Sequence, residues 1–170
     1  MATTLSKNVP GLTAAQATEL DNLEITHQTV LNSLESTLQH DTVQVSSADL
    51  LALYSAPKLL IDPPGAGHST AIAKVIFAIT RTSTVYVTGG GAAIIQYDST
   101  THGGGTQACD STIAATVITG TSGLSITIRS GAIISDSSGT DNKGIYLSAA
   151  TGDFTLGTGA AVVDIWYYQS

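Results

Sequence analysis

Four histidines, one cysteine and thirteen acidic residues are the side chains of this 170-residue chain with the widest chemical reach, as metal ligands, general bases or nucleophiles. His27 and His40 fall in a stretch rich in Leu, Glu, Gln and Asn, whereas His68 and His102 fall in Gly-rich turns, and none forms a spaced pair. Asp98, His102 and Asp110 flank Gly103-Gly104-Gly105 and could converge as oxygen and nitrogen ligands, although their spacing matches no established metal signature. The simpler reading is that they solvate and punctuate a loop. Cys109 stands alone, which excludes an internal disulfide framework and any multi-cysteine zinc site. It has no identifiable His or Asn partner and is expected to be a small buried side chain. Serines are abundant, yet no G-x-S-x-G elbow occurs. Gly89-Gly90-Gly91 follows a candidate strand, but no Lys-Ser or Lys-Thr comes after it and the next segment reads as strand, so it is a turn rather than a phosphate cradle. The Thr- and Gly-rich loops could bind a carbohydrate, although most aromatic residues lie in expected strands rather than on loops. No catalytic, metal or cofactor residue is expected, and the chain is expected not to be an enzyme.

Composition narrows the partners. Charged residues make up 11% against 42% hydrophobic, so the exterior must be Thr, Ser, Gly and small apolar groups, a surface suited to packing against neighbours. A net charge of -7 leaves no basis for phosphate neutralisation, so nucleic acid is not an expected partner. The most apolar run, from Ala71 to Thr80, is interrupted by Lys74 and falls well short of the roughly 20 residues that span a bilayer, so no membrane association is expected. Met1 to Pro10 has one Lys and no apolar run after it, and synthesis in the cytoplasm is expected.

The chain changes character near residue 43, which predicts an N-terminal arm and amphipathic helix over 1–42 and a β domain over 43–170. Thr13 with Gln16 has the form of a capping box. From there Leu20, Leu23, Val30, Leu31, Leu34 and Leu38 recur three, four and seven residues apart, as they must to share one side of a helix. Glu19, Asp21, Glu24, Glu35 and Asp41 accompany them without a Lys or Arg, so the helix gains no i,i+4 pairs and needs its stripe covered. The stripe is the expected assembly interface, docked on the chain's own β domain, on a sister chain or on a host surface. As heptads it makes a weak coiled-coil signal.

Beyond residue 43, Ser46 with Asp49 opens a short helical turn that Pro57 stops. Strands are then expected over Lys58–Asp62, Thr70–Thr80, Thr84–Thr88, Ala92–Asp98, Thr116–Thr119, Leu124–Arg129, Ala132–Ser135, Gly144–Ser148 and Ala160–Tyr168, with Gly, Ser, Asp and Asn between them. Thr84–Thr88 and Ala92–Asp98 read as a hairpin. Thr70–Thr80 and Ala160–Tyr168 carry apolar residues on both alternating faces and are expected to be covered on both sides. The class is mainly β: an antiparallel β-sandwich or jelly-roll-like domain with an N-terminal α-helical segment.

Five elements of Ser46–Ser170, namely Ala48–Leu53, Leu59–Asp62, the Pro63–Gly67 turn, Thr70–Thr80 and Val162–Tyr168, resemble the small virion structural proteins of tailed bacteriophages encoded near the capsid genes. That resemblance implies a capsid decoration, cement or head-fibre protein on the head surface, commonly a homotrimer at three-fold positions, with the major capsid protein as partner. It carries over no catalytic residue, and residues 1–42 depart from it as a capsid-binding arm, a trimerising helix or a stalk. The alternative is a tail or fibre component that binds a host receptor or surface glycan.

Overall fold

The computed structural model describes residues 11–87, 89–98, 102–121, 123–131 and 139–169, and for 30–37 the backbone path alone. The expected arm from Met1 to Pro10 and the expected strand Ala132–Ser135 lie outside the described residues. The chain divides into two units, Met1–Leu38 and Gln39–Ser170.

The first unit holds helix α1, Ala14–Thr37. The Thr13 hydroxyl accepts from the Gln16 backbone N–H while the Gln16 side chain accepts from the Thr13 N–H at 3.0 Å, which satisfies two otherwise orphaned donors. Thr18, Thr26 and Thr29 each donate a hydroxyl proton to the carbonyl four residues earlier. The helix ends before Leu38, which corrects the expectation that it runs on past Leu38 and Asp41. Residues Leu38–Val45 instead form strand β1, because His40 and Thr42 find partners on one face of a neighbouring strand and Asp41 on the other. Tertiary partners at a period of two override a helical pattern that had no ion pairs to defend it.

The second unit is mainly β. After β1 come α2 (Ser47–Leu51), β2 (Lys58–Ile61), β3 (Thr70–Arg81), β4 (Ala93–Tyr97), α3 (Ala115–Thr119), β5 (Gly123–Ser130), β6 (Ile145–Ala149) and β7 (Gly159–Gln169). They make two antiparallel sheets of order β1-β7-β3-β5 and β2-β6-β4. The pairing is nested: β1 lies beside β7, β2 beside β6 and β3 beside β5. One continuous core takes Val75, Phe77 and Ile79 from β3 and Val163 and Ile165 from β7 on one sheet, with Ile95 and Tyr97 of β4 and Ile145 and Leu147 of β6 on the other.

Strand β3 is central in its sheet, but not covered on both sides as expected. Its buried residues are Thr70 and Ile72, then Val75, Phe77, Ile79 and Arg81, so the inward parity switches from even to odd at a register shift between Ile72 and Lys74. The bulge explains why both alternating sets look apolar in sequence: each faces the core over part of the strand. Ile76 and Ala78 on the outer face are only half-buried. Likewise Tyr168 of β7 is exposed.

Two further expectations fail for tertiary reasons. Thr84 to Val87 is not a strand hairpinned to β4. Val87 exchanges backbone bonds with Thr155, Thr84 accepts from the Thr158 N–H, and β4 pairs with β6. Gly89 to Gly91 forms a corner rather than a hairpin loop, and a Cβ on Gly90 would lie 2.6 Å from the Phe154 ring. Thr116–Thr119 is part of helix α3, not a strand, despite its β-branched residues. Ile118 is buried there and the Val117 carbonyl accepts from the Arg81 guanidinium.

Candidate functional site

Of the six stripe residues, Leu20, Leu23, Val30, Leu31 and Leu34 lie within α1, whereas Leu38 lies on β1. Leu20 is half-buried and lines a shallow groove with Leu12, Gln16, Glu19 and Leu23, while Leu23 is 66% exposed. Val30, Leu31 and Leu34 fall within α1, with side chains outside the described residues. Leu38 is exposed on β1. Among the described residues no helix is long and apolar enough to cross a membrane.

Asp98, His102 and Asp110 have separate partners. Asp98 pairs with Lys143 at 3.2 Å, the His102 Nδ1 meets the Tyr54 carbonyl, and Asp110 Oδ1 accepts from the Ser111 hydroxyl. No three His, Cys, Asp or Glu side chains are grouped to hold a metal ion among the described residues. The His102 ring lies 5.3 Å from Tyr54, beside Asp153, a residue the sequence did not single out. Asp153 Oδ1 accepts from the backbone N–H groups of both Tyr54 and Ser55 at 2.9 Å, bonds that hold its carboxyl below the ordinary range. Its chemistry is that of a cap for the turn after α2.

Cys109 is buried, as expected. Burial first, then the Asp110 charge, push its thiol up to about 12, with Arg129 acting the other way. Tyr97 donates its buried hydroxyl to the Thr70 carbonyl at 2.6 Å and is pushed up to about 12, chiefly by burial. Such groups hold their protons harder in the folded chain than in the unfolded one. As pH rises beyond the ordinary values of 9.0 and 10.0, the unfolded chain releases protons that the folded chain keeps, so stability is lost progressively towards pH 12. Thermal unfolding followed by circular dichroism is therefore expected to show a midpoint that is steady between pH 7 and 8 and falls steeply above pH 10. In the native protein at pH 8 Cys109 is expected to resist iodoacetamide, and to react fully once unfolded.

Two arrangements emerge that sequence reasoning missed. On the outer face of β1 and β7, the His40 ring stacks on Trp166 with centroids 4.3 Å apart, its Nε2 lies 3.6 Å from Asp164, and Lys74 Nζ sits 4.9 Å from the Trp166 centroid. Thr42 donates to Asp164 at 2.6 Å. On the opposite parity Tyr167 donates its hydroxyl to Asp41 at 2.7 Å at the edge of a cleft of about 310 Å³ lined by Asp41, Asp62, Pro63, Tyr167 and Gln169 among others. Burial, the Asp41 hydrogen bond and the charges of Asp41 and Asp62 push Tyr167 up to about 12. Asp41 and Tyr167 are separated by 126 positions, so no local pattern announces the pair. The cleft offers carboxylate, amide and phenol groups, the hydrogen-bonding set that a polyhydroxylated ligand engages.

No protein-family model matches this chain, and no curated protein sequence matches it.

Proposed function

We propose that this chain is a non-enzymatic structural component of a tailed-phage virion, a decoration or cement protein on the outside of the capsid, with the major capsid protein as partner and a homotrimer as its state. The observation that carries this reading is the nested strand order, β1-β7-β3-β5 with β2-β6-β4. An antiparallel ribbon folded back on itself and wound so that successive strands alternate between two sheets is the path of a jelly-roll sandwich, an architecture used by viral capsid proteins and by lectins. Residues 106–113, which exchange backbone bonds with the outer edge of β4, take the place of an eighth strand. Fold likeness supports this role together with the resemblance of Ser46–Ser170 to phage structural proteins. The low charge and the small exposed side chains suit the same role.

The mechanism would be mechanical: the β domain bridges neighbouring capsid subunits and adds buried area at their junctions, so that internal pressure must break more contacts. Quantitative mass spectrometry of purified particles, with averaged electron images, tests it. A copy number that follows the shell lattice is expected, and a few copies confined to the tail would refute it. A tail or fibre role in glycan binding draws on the Asp41–Asp62 cleft and its lectin-compatible winding. It requires Asp62→Asn particles to lose adsorption to host cells while their heads stay as stable as before.

A further inference from the structure

Strand β5 closes one side of its sheet, and its alternation is inverted relative to a solvent-facing edge. Leu124, Ile126 and Ile128 are 62%, 58% and 56% exposed on the outer face, while Ser125, Thr127 and Arg129 are the half-buried set. Ser125 faces inward because its hydroxyl accepts from Arg81, and the Arg129 guanidinium donates to the Thr112 carbonyl. The backbone polarity of the edge follows from its end. Gly131 donates its N–H to Ala73 on β3, whereas the Ser130 carbonyl accepts from Asp110 on the other side. By strand alternation, the N–H and C=O groups of Leu124, Ile126 and Ile128 also point away from β3. Among the described residues β5 is the last strand of its sheet. From Gly123 to Ile128 it carries none of the Lys, acidic residues or Pro with which edges are usually blunted.

We propose that β5 pairs with β5 of a second copy of this chain, antiparallel across a two-fold axis at Ile126. Self-pairing demands a segment that complements itself when reversed, and Leu-Ser-Ile-Thr-Ile meets that demand: aliphatic and hydroxyl residues alternate symmetrically about Ile126. Ile126 then lies opposite its own mate and Leu124 opposite the mate's Ile128, with about six main-chain hydrogen bonds across the join. Charge leaves this edge open to that occupant. A chain of net charge -7 repels its copies, and 123–128 is an uncharged edge along which two of them can approach. The inference is independent of the virion reading. A two-fold contact cannot lie within a three-fold ring, so it would join neighbouring trimers where trimers exist.

Cysteine cross-linking reads the register. A hydrogen-bonded antiparallel pair has Cα atoms about 5.5 Å apart, inside the disulfide range of about 4.4–6.8 Å. Leu124 and its mate would be about 14 Å apart, four residues of strand. Full-length Ile126→Cys is expected to oxidise almost completely to a covalent dimer on a non-reducing gel, while Leu124→Cys stays a single chain. Cys109, buried and weakly acidic, does not compete. Both positions are on the surface, and matching circular dichroism spectra establish that the variants fold. Equal cross-linking at the two positions, or none at either, overturns the proposal. So does wild-type protein that sediments only as a monomer or as a lone trimer at about 100 μM, well above the roughly micromolar range of weak specific contacts.

Discussion

Replacing Arg81 by Met is expected to cost the β domain about 3–5 kcal/mol, a large fraction of the roughly 5–15 kcal/mol that holds a typical domain together. Arg81 is 5% exposed and is the one charged side chain in the core among the described residues. Among the described residues no carboxylate pairs with it. Instead its Nε donates to the Thr121 carbonyl at 2.7 Å, Nη1 to the Val117 carbonyl near the end of α3, and Nη2 to the Ser125 hydroxyl at 2.6 Å. The carbonyls at a helix C-terminus carry partial negative charge, so this end of α3 is a natural seat for a cation. Methionine would fill much of the volume but strand those acceptors, each worth about 1–3 kcal/mol when buried without a partner. Lysine could satisfy some of them and should fall between the two. Urea titration of the three proteins is the measurement, and a Met variant within about 1 kcal/mol of wild type would show that the acceptors find other partners.

Gly159→Ala is expected to lower the thermal midpoint by about 10 °C or more, through two separable causes. The residue opens β7 with φ of +134°, a backbone geometry that L side chains rarely adopt. A Cβ there would also lie 2.2 Å from the Thr80 carbonyl oxygen and 2.9 Å from the Arg81 Cα. Neither neighbour can yield without pulling β3 from β7, since Gly159 pairs with Arg81 in the register. Backbone strain of about 1–3 kcal/mol adds to the steric cost. The matched control is Gly139→Ala, whose added methyl would meet nothing within 4 Å. That variant should unfold within a degree or two of wild type. Equal midpoints for the two would place Thr80 and Arg81 on a more yielding backbone than the geometry implies.

Local chemistry was legible wherever a signal is carried by residues close in sequence. The Ser46–Asp49 capping box forms as read, its hydroxyl accepting from the Asp49 N–H at 3.1 Å and the Asp49 carboxylate accepting from Ser46 at 2.8 Å. Burial would raise the Asp49 carboxyl, but the bonds from Ser46 and the Lys58 ammonium, 3.1 Å away, bring it below the ordinary range. Long strands of β-branched and aromatic residues were equally plain: β3, β4, β5, β6 and β7 all lie within a residue of their expected limits. The coarse class, mainly β with antiparallel sheets, follows from those runs and from the turn residues between them.

What failed had its cause elsewhere in the chain. Val117 to Thr119 have strand propensity, yet a buried guanidinium arriving from Arg81 needs carbonyls gathered at a helix end, and the helix wins. His40 and Asp41 continue a helical pattern, yet Trp166, Asp164 and Tyr167 supply partners on alternating faces, and the strand wins. Propensities differ by tenths of a kcal/mol per residue, whereas a buried hydrogen bond or ring stack is worth about 1 kcal/mol, so tertiary partners decide wherever local preference is weak. The amino-acid sequence by itself determined the capping boxes, the main strands and the buried thiol, because each is a matter of residue type and short spacing. Tertiary structure alone decided the nested order of the sheets, the bulge that turns β3 over, the cleft at Asp41 and Tyr167, and the outward face of Leu124, Ile126 and Ile128, because each depends on which distant strand arrives alongside.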